Sequence, residues 1–155
     1  MEEETLDLTP LDEILNEYET EQGAVIPVLQ RAQAVYGYLP RQVLEAIAQK
    51  MRVPVSHVYG VVTFYSQFYL TRRGRHIVRQ CNGTACHVRG AARIIGTVEK
   101  ELGIKAGGTT PDYRLTYEVV YCLGSCGLSP TAMVDDEVVG HLVPERMVEI
   151  VRELG

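Results

Sequence analysis

Four cysteines in two pairs are the residues of this sequence whose types and spacing could do chemistry. Cys81 and Cys86 are separated by four residues, Cys122 and Cys126 by three, and 35 residues lie between the pairs. Four thiolates without an oxygen ligand are typical of a zinc ion or an iron–sulfur cluster, whereas calcium and magnesium prefer oxygen ligands. The spacing therefore predicts a soft-metal centre that is assembled from two loops.

A zinc ion and an iron–sulfur cluster make different demands on these loops. A structural zinc ion takes a C-x₂₋₄-C knuckle from each side, and both spacings fit that pattern. A 2Fe-2S cluster has two irons that each need two thiolates, so each loop can give its pair to one iron. Small residues let the backbone wrap around the sulfides, which favours the cluster. The small residues in and beside the two loops are Gly83, Ala85, Gly124, Ser125 and Gly127.

Two alternatives stay open beside the cluster: a structural zinc adaptor and a thiol–disulfide oxidoreductase. The second is disfavoured because Cys122 and Cys126 enclose three residues, whereas the thioredoxin dithiol motif C-x-x-C encloses two. His87 follows Cys86 directly and suggests a Rieske-type centre, in which histidines replace two of the cysteines. Because four cysteines already complete a cluster, we expect His87 to be a supporting or surface residue.

Composition and the N-terminus indicate a reducing compartment. A chain of 155 residues buries about 68–70% of the surface that its unfolded form exposes, so it needs no disulfide or metal merely to fold. The N-terminus, MEEETLDL, is acidic where a secretory signal is basic and then apolar, and no apolar run approaches the roughly 18–20 residues of a membrane span. The net charge of -5 makes nucleic acid an unexpected partner. We therefore expect a cytoplasmic protein with reduced thiols.

The first half of the chain predicts short helices. Apolar residues recur at helical intervals from residue 11 to about residue 70, in LDEILNEY, VIPVLQRAQAVYG and PRQVLEAIAQKM. We expect Ser56 to cap the helix of PVSHVYGVVTFYSQFYL, and we assign residues 1–72 to an N-terminal helical bundle. The segments are separated by Gly23, Gly37, Pro40 and Pro54.

A strand and a helix are predicted on either side of the first cysteine pair. HIVRQC is rich in strand formers, so it predicts a strand that begins at His76 and ends at Cys81. Cys86 is expected to open a helix in CHVRGAARIIGTVEKELG, which Gly103 ends. The apolar stripe of this helix comprises Val88, Ala91, Ala92, Ile95, Val98 and Leu102.

The second cysteine pair also follows a predicted strand. YRLTYEVVYC carries Cys122 at its far end, TAMVDDEVVGHL predicts a hairpin around Asp135 and Asp136, and PERMVEIVREL predicts a closing helix from Pro144. The order β-α-β-β-β-α suits an α/β (α+β) domain with a mixed, thioredoxin-like sheet, to which we assign residues 73–155. Two loops at one edge of that sheet could bring the four sulfurs together.

Arginines surround the first cysteine pair. Between residues 71 and 98 there are six arginines and no acidic residue, although the whole chain is acidic. Positive charge would stabilise an anionic cluster and raise its reduction potential, while a solvated or partner-docking face is an equal alternative for any one of them. The six are Arg72, Arg73, Arg75, Arg79, Arg89 and Arg93.

Two other groups of residues are interpreted as structural. Asp135, Asp136 and Glu137 are expected to form a solvated turn. Five aromatic residues near the end of the helical region are expected to pack in the core, because their spacing is more typical of a buried helix face than of an interface. They are Tyr59, Phe64, Tyr65, Phe68 and Tyr69.

Several segments resemble a known family. CNGTACHVRGA, ELGIKAGGTTPD, PVSHVYGVVTFYSQF and YEVVYCLGSCGLSPTAMVDDEVVGHLVPERM are similar to the small 2Fe-2S subunit of the NADH dehydrogenase (complex I) family. The same module occurs in NAD-linked and electron-bifurcating hydrogenases and in NAD-dependent formate dehydrogenases. The resemblance implies a helical bundle followed by a thioredoxin-like ferredoxin domain with a mixed four-stranded sheet. It also implies one 2Fe-2S cluster, whose ligands are Cys81, Cys86, Cys122 and Cys126.

The resemblance further implies a role that agrees with the motifs found. The chain contains no G-x-G-x-x-G loop, so hydride chemistry is not assigned to it. In the family, a larger flavoprotein subunit holds FMN, NAD(H) and a 4Fe-4S cluster, and the small subunit exchanges electrons with its flavin. We therefore expect an electron-carrier subunit, not catalytic by itself, in a complex with further iron–sulfur subunits, cytoplasmic or peripheral to the cytoplasmic membrane. The sequence leaves open whether the parent complex is a quinone reductase, a hydrogenase or a formate dehydrogenase.

Overall fold

The protein comprises two compact units. The computed structural model describes residues 6–19, 21 and 23–155. The chain divides into residues Met1–Arg72 and Arg73–Gly155. Each unit has its own hydrophobic core, and the two are described one after the other.

The described residues of unit one form four helices. They are α1 (Thr9–Glu17), α2 (Val25–Tyr36), α3 (Arg41–Met51) and α4 (Val55–Phe64). Helix α2 is capped after its last residue by Gly37, whose φ of 77° lies in the left-handed region that glycine adopts without strain. The apolar faces predicted from the sequence meet in one core, whose fully buried members include Leu11, Val28, Leu29, Leu39, Val43, Leu44, Ile47 and Val58.

Two predictions about the end of this unit need correction. Ser56 does not cap α4, because the helix already begins at Val55, directly after Pro54, and has no side-chain cap. The aromatic residues are divided between core and surface. Phe68 is buried, whereas Phe64 is 80% exposed and its ring meets that of Tyr65 edge to face. The prediction of a common aromatic core is therefore wrong for Phe64 and Tyr65.

The second unit contains a mixed four-stranded sheet. Its strands are β1 (His76–Cys81), β2 (Leu115–Val120), β3 (Ala132–Val134) and β4 (Glu137–Val139), in the order β2-β1-β3-β4. Strand β1 pairs in parallel with β2 and antiparallel with β3, which forms the predicted hairpin with β4. The predicted fold class and mixed sheet are confirmed. Because β1 and β2 are parallel, their carboxyl ends lie side by side at the same end of the sheet.

Three helices complete this unit: α5 (Thr84–Val88), α6 (Ala91–Leu102) and α7 (Pro144–Glu153). Helix α7 begins at the predicted proline, and α6 packs against it. The core contains side chains from both helices and from the inner positions of the strands. Its buried members include Val78, Ile94, Val98, Leu115, Tyr117, Met147 and Val151.

The prediction of one helix opening at Cys86 is wrong. Cys86 lies inside the short helix α5, which begins at Thr84, and a second helix starts at Ala91. Gly90 permits the break because its φ of 101° is a conformation that other residues rarely adopt. Val88 is 80% exposed and Ala92 is exposed as well, so neither belongs to the buried stripe, whereas Ile94, which was not predicted, does.

Candidate metal centre

The four cysteines line one cavity of about 640 Å³. Strand β1 ends at Cys81, and Cys122 follows two residues after the end of the parallel strand β2, so the sheet itself brings the two loops together. The structure thus assembles all four residues that the sequence singles out. The remaining lining residues are Gly83, Thr84, Ala85, Val88, Arg89 and Tyr121.

The four cysteine side chains influence one another. Those of Cys81 and Cys86 interact, as do those of Cys122 and Cys126, and the charges of Cys81 and Cys86 also act on Cys126. Within the described part of the chain, no three His, Cys, Asp or Glu side chains are placed to hold a single metal ion. Two loops that each bring two cysteines to one cavity fit a group with two irons, each of which takes two thiolates.

Each loop directs a backbone N–H at the sulfur of its first cysteine. Gly83 N lies 3.5 Å from Sγ of Cys81, and Gly124 N lies 3.3 Å from Sγ of Cys122. Both loops therefore use the same local pattern, Cys-x-Gly. Such N–H groups stabilise negative charge on sulfur, which suits thiolate ligands.

Glycine is favoured at these two positions for different reasons. A Cβ on Gly83 would lie 2.2 Å from the carbonyl oxygen of Tyr121, a backbone atom of the opposite loop. Gly124 has open space around it, but its φ of 76° strains any other residue. In the first loop a larger residue is thus disfavoured by the close approach of the opposite loop. In the second loop it is disfavoured by the backbone conformation.

Three residues that the sequence does not single out contact the cysteine loops. Thr131 Oγ1 lies 3.6 Å from Sγ of Cys86, and Ser129 donates its hydroxyl to the carbonyl of Cys126. Gln80 is completely buried and donates its amide to the carbonyls of Cys81 and Thr131. Alternation along β1 could have identified Gln80, because it shares a strand face with the buried Val78. Nothing local marks Thr131.

Hydrogen bonds and charge change the pKa values of two cysteines in opposite directions. Burial acts to raise the pKa of Cys86, but hydrogen bonds with the backbone and hydroxyl of Thr131, and with neighbouring side chains, outweigh it and lower this pKa. The charge of Cys122 is the main cause that raises the pKa of Cys126, and burial adds to it. Since the second pair resists carrying two charges by itself, a bound metal cation would relieve the repulsion.

The arginine-rich segment is partly neutralised in the fold. Arg73 and Arg79 both form ion pairs with Glu118 of the neighbouring strand β2, at 2.6 and 3.2 Å. Arg89 lines the cavity, and its guanidinium donates to the carbonyl of Ser129 at 3.3 Å. The positive charge around the first cysteine pair is thus smaller in the folded protein than the sequence of this segment suggests.

Two further predictions have different outcomes. His87 is exposed, and its Nδ1 lies 3.0 Å from the side-chain oxygen of Asn82, which agrees with a surface role. Asp135 is not merely part of a solvated turn. Its carboxylate accepts the N–H of Ile77 at 2.8 Å and pairs with Nδ1 of His76 at 2.8 Å. Although burial acts to raise the pKa of Asp135, these bonds lower it.

Two cysteine pairs that follow the carboxyl ends of parallel strands in a mixed sheet are typical of a class of protein, the iron–sulfur electron carriers. Residues 11–155 match the sequence model of the thioredoxin-like [2Fe-2S] ferredoxin family. The chain belongs to this family.

The chain is also similar to two curated relatives and to one solved structure. It is 39% identical to the HndA subunit of the NADP-reducing hydrogenase of Solidesulfovibrio fructosivorans, over 85% of this chain and 77% of the relative. It is also 39% identical to a subunit of the NADH-quinone oxidoreductase of Escherichia coli strain K12, over 88% of this chain and 82% of the relative. An NAD⁺-reducing [NiFe]-hydrogenase shares the fold at a TM-score of 0.71 and 20% identity, over 84% of this chain and 22% of that one.

These similarities confirm the family inferred from the sequence and its cofactor, one 2Fe-2S cluster. The protein is an electron carrier of the kind found as a subunit in larger NAD(P)-linked oxidoreductases. The similarities to known proteins give no support to the zinc-adaptor or thiol–disulfide alternatives. None of the helices in the described residues is long and apolar enough to cross a membrane.

Proposed function

We propose that Cys81, Cys86, Cys122 and Cys126 hold the 2Fe-2S cluster, and that each loop supplies the two thiolates of one iron. The observation that carries this proposal is the single cavity lined by all four cysteines, in which glycine N–H groups are directed at two of the sulfurs. A cluster bound there supplies one-electron chemistry, since it accepts and returns one electron at a time.

The work of the chain's own residues is to hold and shield this group. Cys81 and Cys86 are 3% and 1% exposed, so one side of the site is closed to water. Cys122 and Cys126 are exposed and leave the other side open. Electron transfer through this open side needs no proton donor, base or nucleophile from the chain.

The electron partner in this proposal is a flavoprotein subunit that binds FMN and NAD(H), together with further iron–sulfur subunits. Support comes from the two relatives, which are subunits of an NADH-quinone oxidoreductase and of an NADP-reducing hydrogenase. Exposed Val88 and Tyr121, 80% and 79% accessible, stand at the cavity and offer apolar contacts to such a partner. We place the complex on the cytoplasmic side of the cell, where thiols stay reduced.

Metal analysis and spectroscopy of the anaerobically purified chain test the ligand assignment. We expect about two irons and two sulfides per chain, a red-brown colour, and an S = 1/2 paramagnetic signal after reduction. A double Cys122→Ser and Cys126→Ser variant should lose the visible absorbance. Absorbance that survives this change would refute the ligands, and a colourless protein with one zinc would refute the cofactor.

Adding the partner tests its role. The isolated chain should not oxidise NADH, because it contains no nucleotide-binding loop, and its cluster should become reduced by NADH only after the flavoprotein subunit is added. NADH turnover by the pure chain would contradict the proposal.

A further inference from the structure

A hydroxyl group reaches the sulfur of the most buried cysteine. Cys86 is 1% exposed, and its Sγ lies 3.6 Å from Oγ1 of Thr131, which is also 1% exposed. In a free thiol either partner can donate the hydrogen, but a sulfur that binds iron is a thiolate and carries none. Thr131 is then the donor of an O–H···S hydrogen bond.

Hydrogen bonds fix the backbone of Thr131. The carbonyl oxygen of Thr131 accepts the N–H of Cys81 at 3.0 Å and Nε2 of Gln80 at 3.0 Å. The same amide donates to the carbonyl of Cys81 at 3.1 Å, and Gln80 is fully buried. The backbone of Thr131 is therefore tied to the end of β1, beside the cysteine whose sulfur its hydroxyl contacts.

We propose that Thr131 is a positioning residue for the Cys86 thiolate and that its hydroxyl raises the reduction potential of the cluster. The inference rests on the proposed function, because it requires Cys86 to be an iron ligand. Reduction adds one electron and no proton, and the ligand sulfurs carry part of the added negative charge. A hydrogen bond donated to such a sulfur strengthens as the charge grows, so it favours the reduced state.

The reduction potential of the full 155-residue chain tests this role. Thr131→Val keeps the shape of the side chain and removes the hydroxyl, whereas Thr131→Ser keeps the hydroxyl. At a fixed potential we expect about a tenfold lower ratio of reduced to oxidised protein in the valine variant, which is a shift of about 59 mV for one electron. The serine variant should stay close to the wild type.

Thr116→Val is the matched control. Thr116 is 3% exposed, and its hydroxyl bonds to the N–H of Gly74 at 2.7 Å and to the hydroxyl of Thr109 at 2.8 Å, away from the cysteines. The control removes a buried threonine hydroxyl in the same unit, so it reports a general loss of stability. Its potential should equal that of the wild type.

Three outcomes would overturn the role of Thr131. The first is an unchanged potential in Thr131→Val with full iron content, and the second is an equal shift in Thr116→Val. The third is loss of iron in both Thr131→Val and Thr131→Ala, since the side chain would then serve assembly and not the potential. A wild-type chain that contains no 2Fe-2S cluster would instead refute the proposed function, so the two failures are distinguishable.

Discussion

The two cysteine loops share a pattern but differ in their surroundings. Both place a glycine two residues after the first cysteine, and both direct its N–H at that sulfur. The pair of residues 81 and 86 is nevertheless buried, whereas the pair of residues 122 and 126 is exposed. Strand order explains the difference, because β1 lies inside the sheet and β2 lies at its edge. A repeated local motif therefore yields one shielded and one open half of the site.

The largest effect is expected from crowding the buried loop. Gly83→Val should abolish cluster binding, because even a Cβ would lie 2.2 Å from the backbone oxygen of Tyr121 and would force the two loops apart. Iron content and visible absorbance measure the loss. Arg89→Ala is the control: it removes a cavity-lining charge without adding bulk, and its iron content should match the wild type. Equal iron in both variants would contradict this account of the loop.

A second prediction tests the difference in burial directly. In the metal-free chain, iodoacetamide should modify Cys122 and Cys126 at least about tenfold faster than Cys81 and Cys86, because a buried thiolate is inaccessible. The lowered pKa of Cys86 acts in the opposite direction by increasing its thiolate fraction. Peptide mass spectrometry over time measures the order, and early modification of Cys86 would show that burial does not control reactivity.

The same experiment has a defined pH dependence. The pKa of Cys126 is raised above its ordinary value of 9.0, so its reactive thiolate forms only as the pH rises through that higher value. Its modification should therefore keep accelerating at pH values at which an ordinary cysteine already reacts at its full rate. An earlier plateau would contradict the charge interaction with Cys122.

The smallest effect is expected in the exposed loop. Gly124→Ala meets no neighbouring atom but must adopt a left-handed φ, which costs about 1–2 kcal/mol of stability. Thermal unfolding should show this loss while iron still binds. Gly127→Ala is the control, because Gly127 has open space and needs no such φ. If Gly124→Ala loses as much iron as Gly83→Val, the proposed difference between the two glycine positions would be contradicted.

Much of the fold could be predicted because its signals are local. HIVRQC and the hairpin around Asp135 and Asp136 show the residue types of strands and turns, and α7 begins at the predicted Pro144. The errors also have local causes. Gly90 interrupts a helical pattern that continues on both sides, and Ser56 lies two residues past the N-cap position of α4, which Pro54 occupies.

The site could be predicted in part for the same reason. The cysteine spacing and the adjacent glycines are visible in the sequence, since each loop is a short continuous segment. Glu118, which neutralises Arg73 and Arg79, lies far along the chain from both and reaches them only through strand pairing. The role of Thr131 at Cys86 depends likewise on a contact between distant segments.

The sequence by itself determined the four cysteines, their two loops, the strands that precede these loops, and the family. The tertiary structure decided which pair is buried, which arginines are neutralised, and which hydroxyl meets a sulfur. The physical reason is the range of the interactions. Backbone preferences and periodicity act within a few residues, whereas burial, ion pairs and hydrogen bonds to the thiolates depend on which segments the sheet brings side by side.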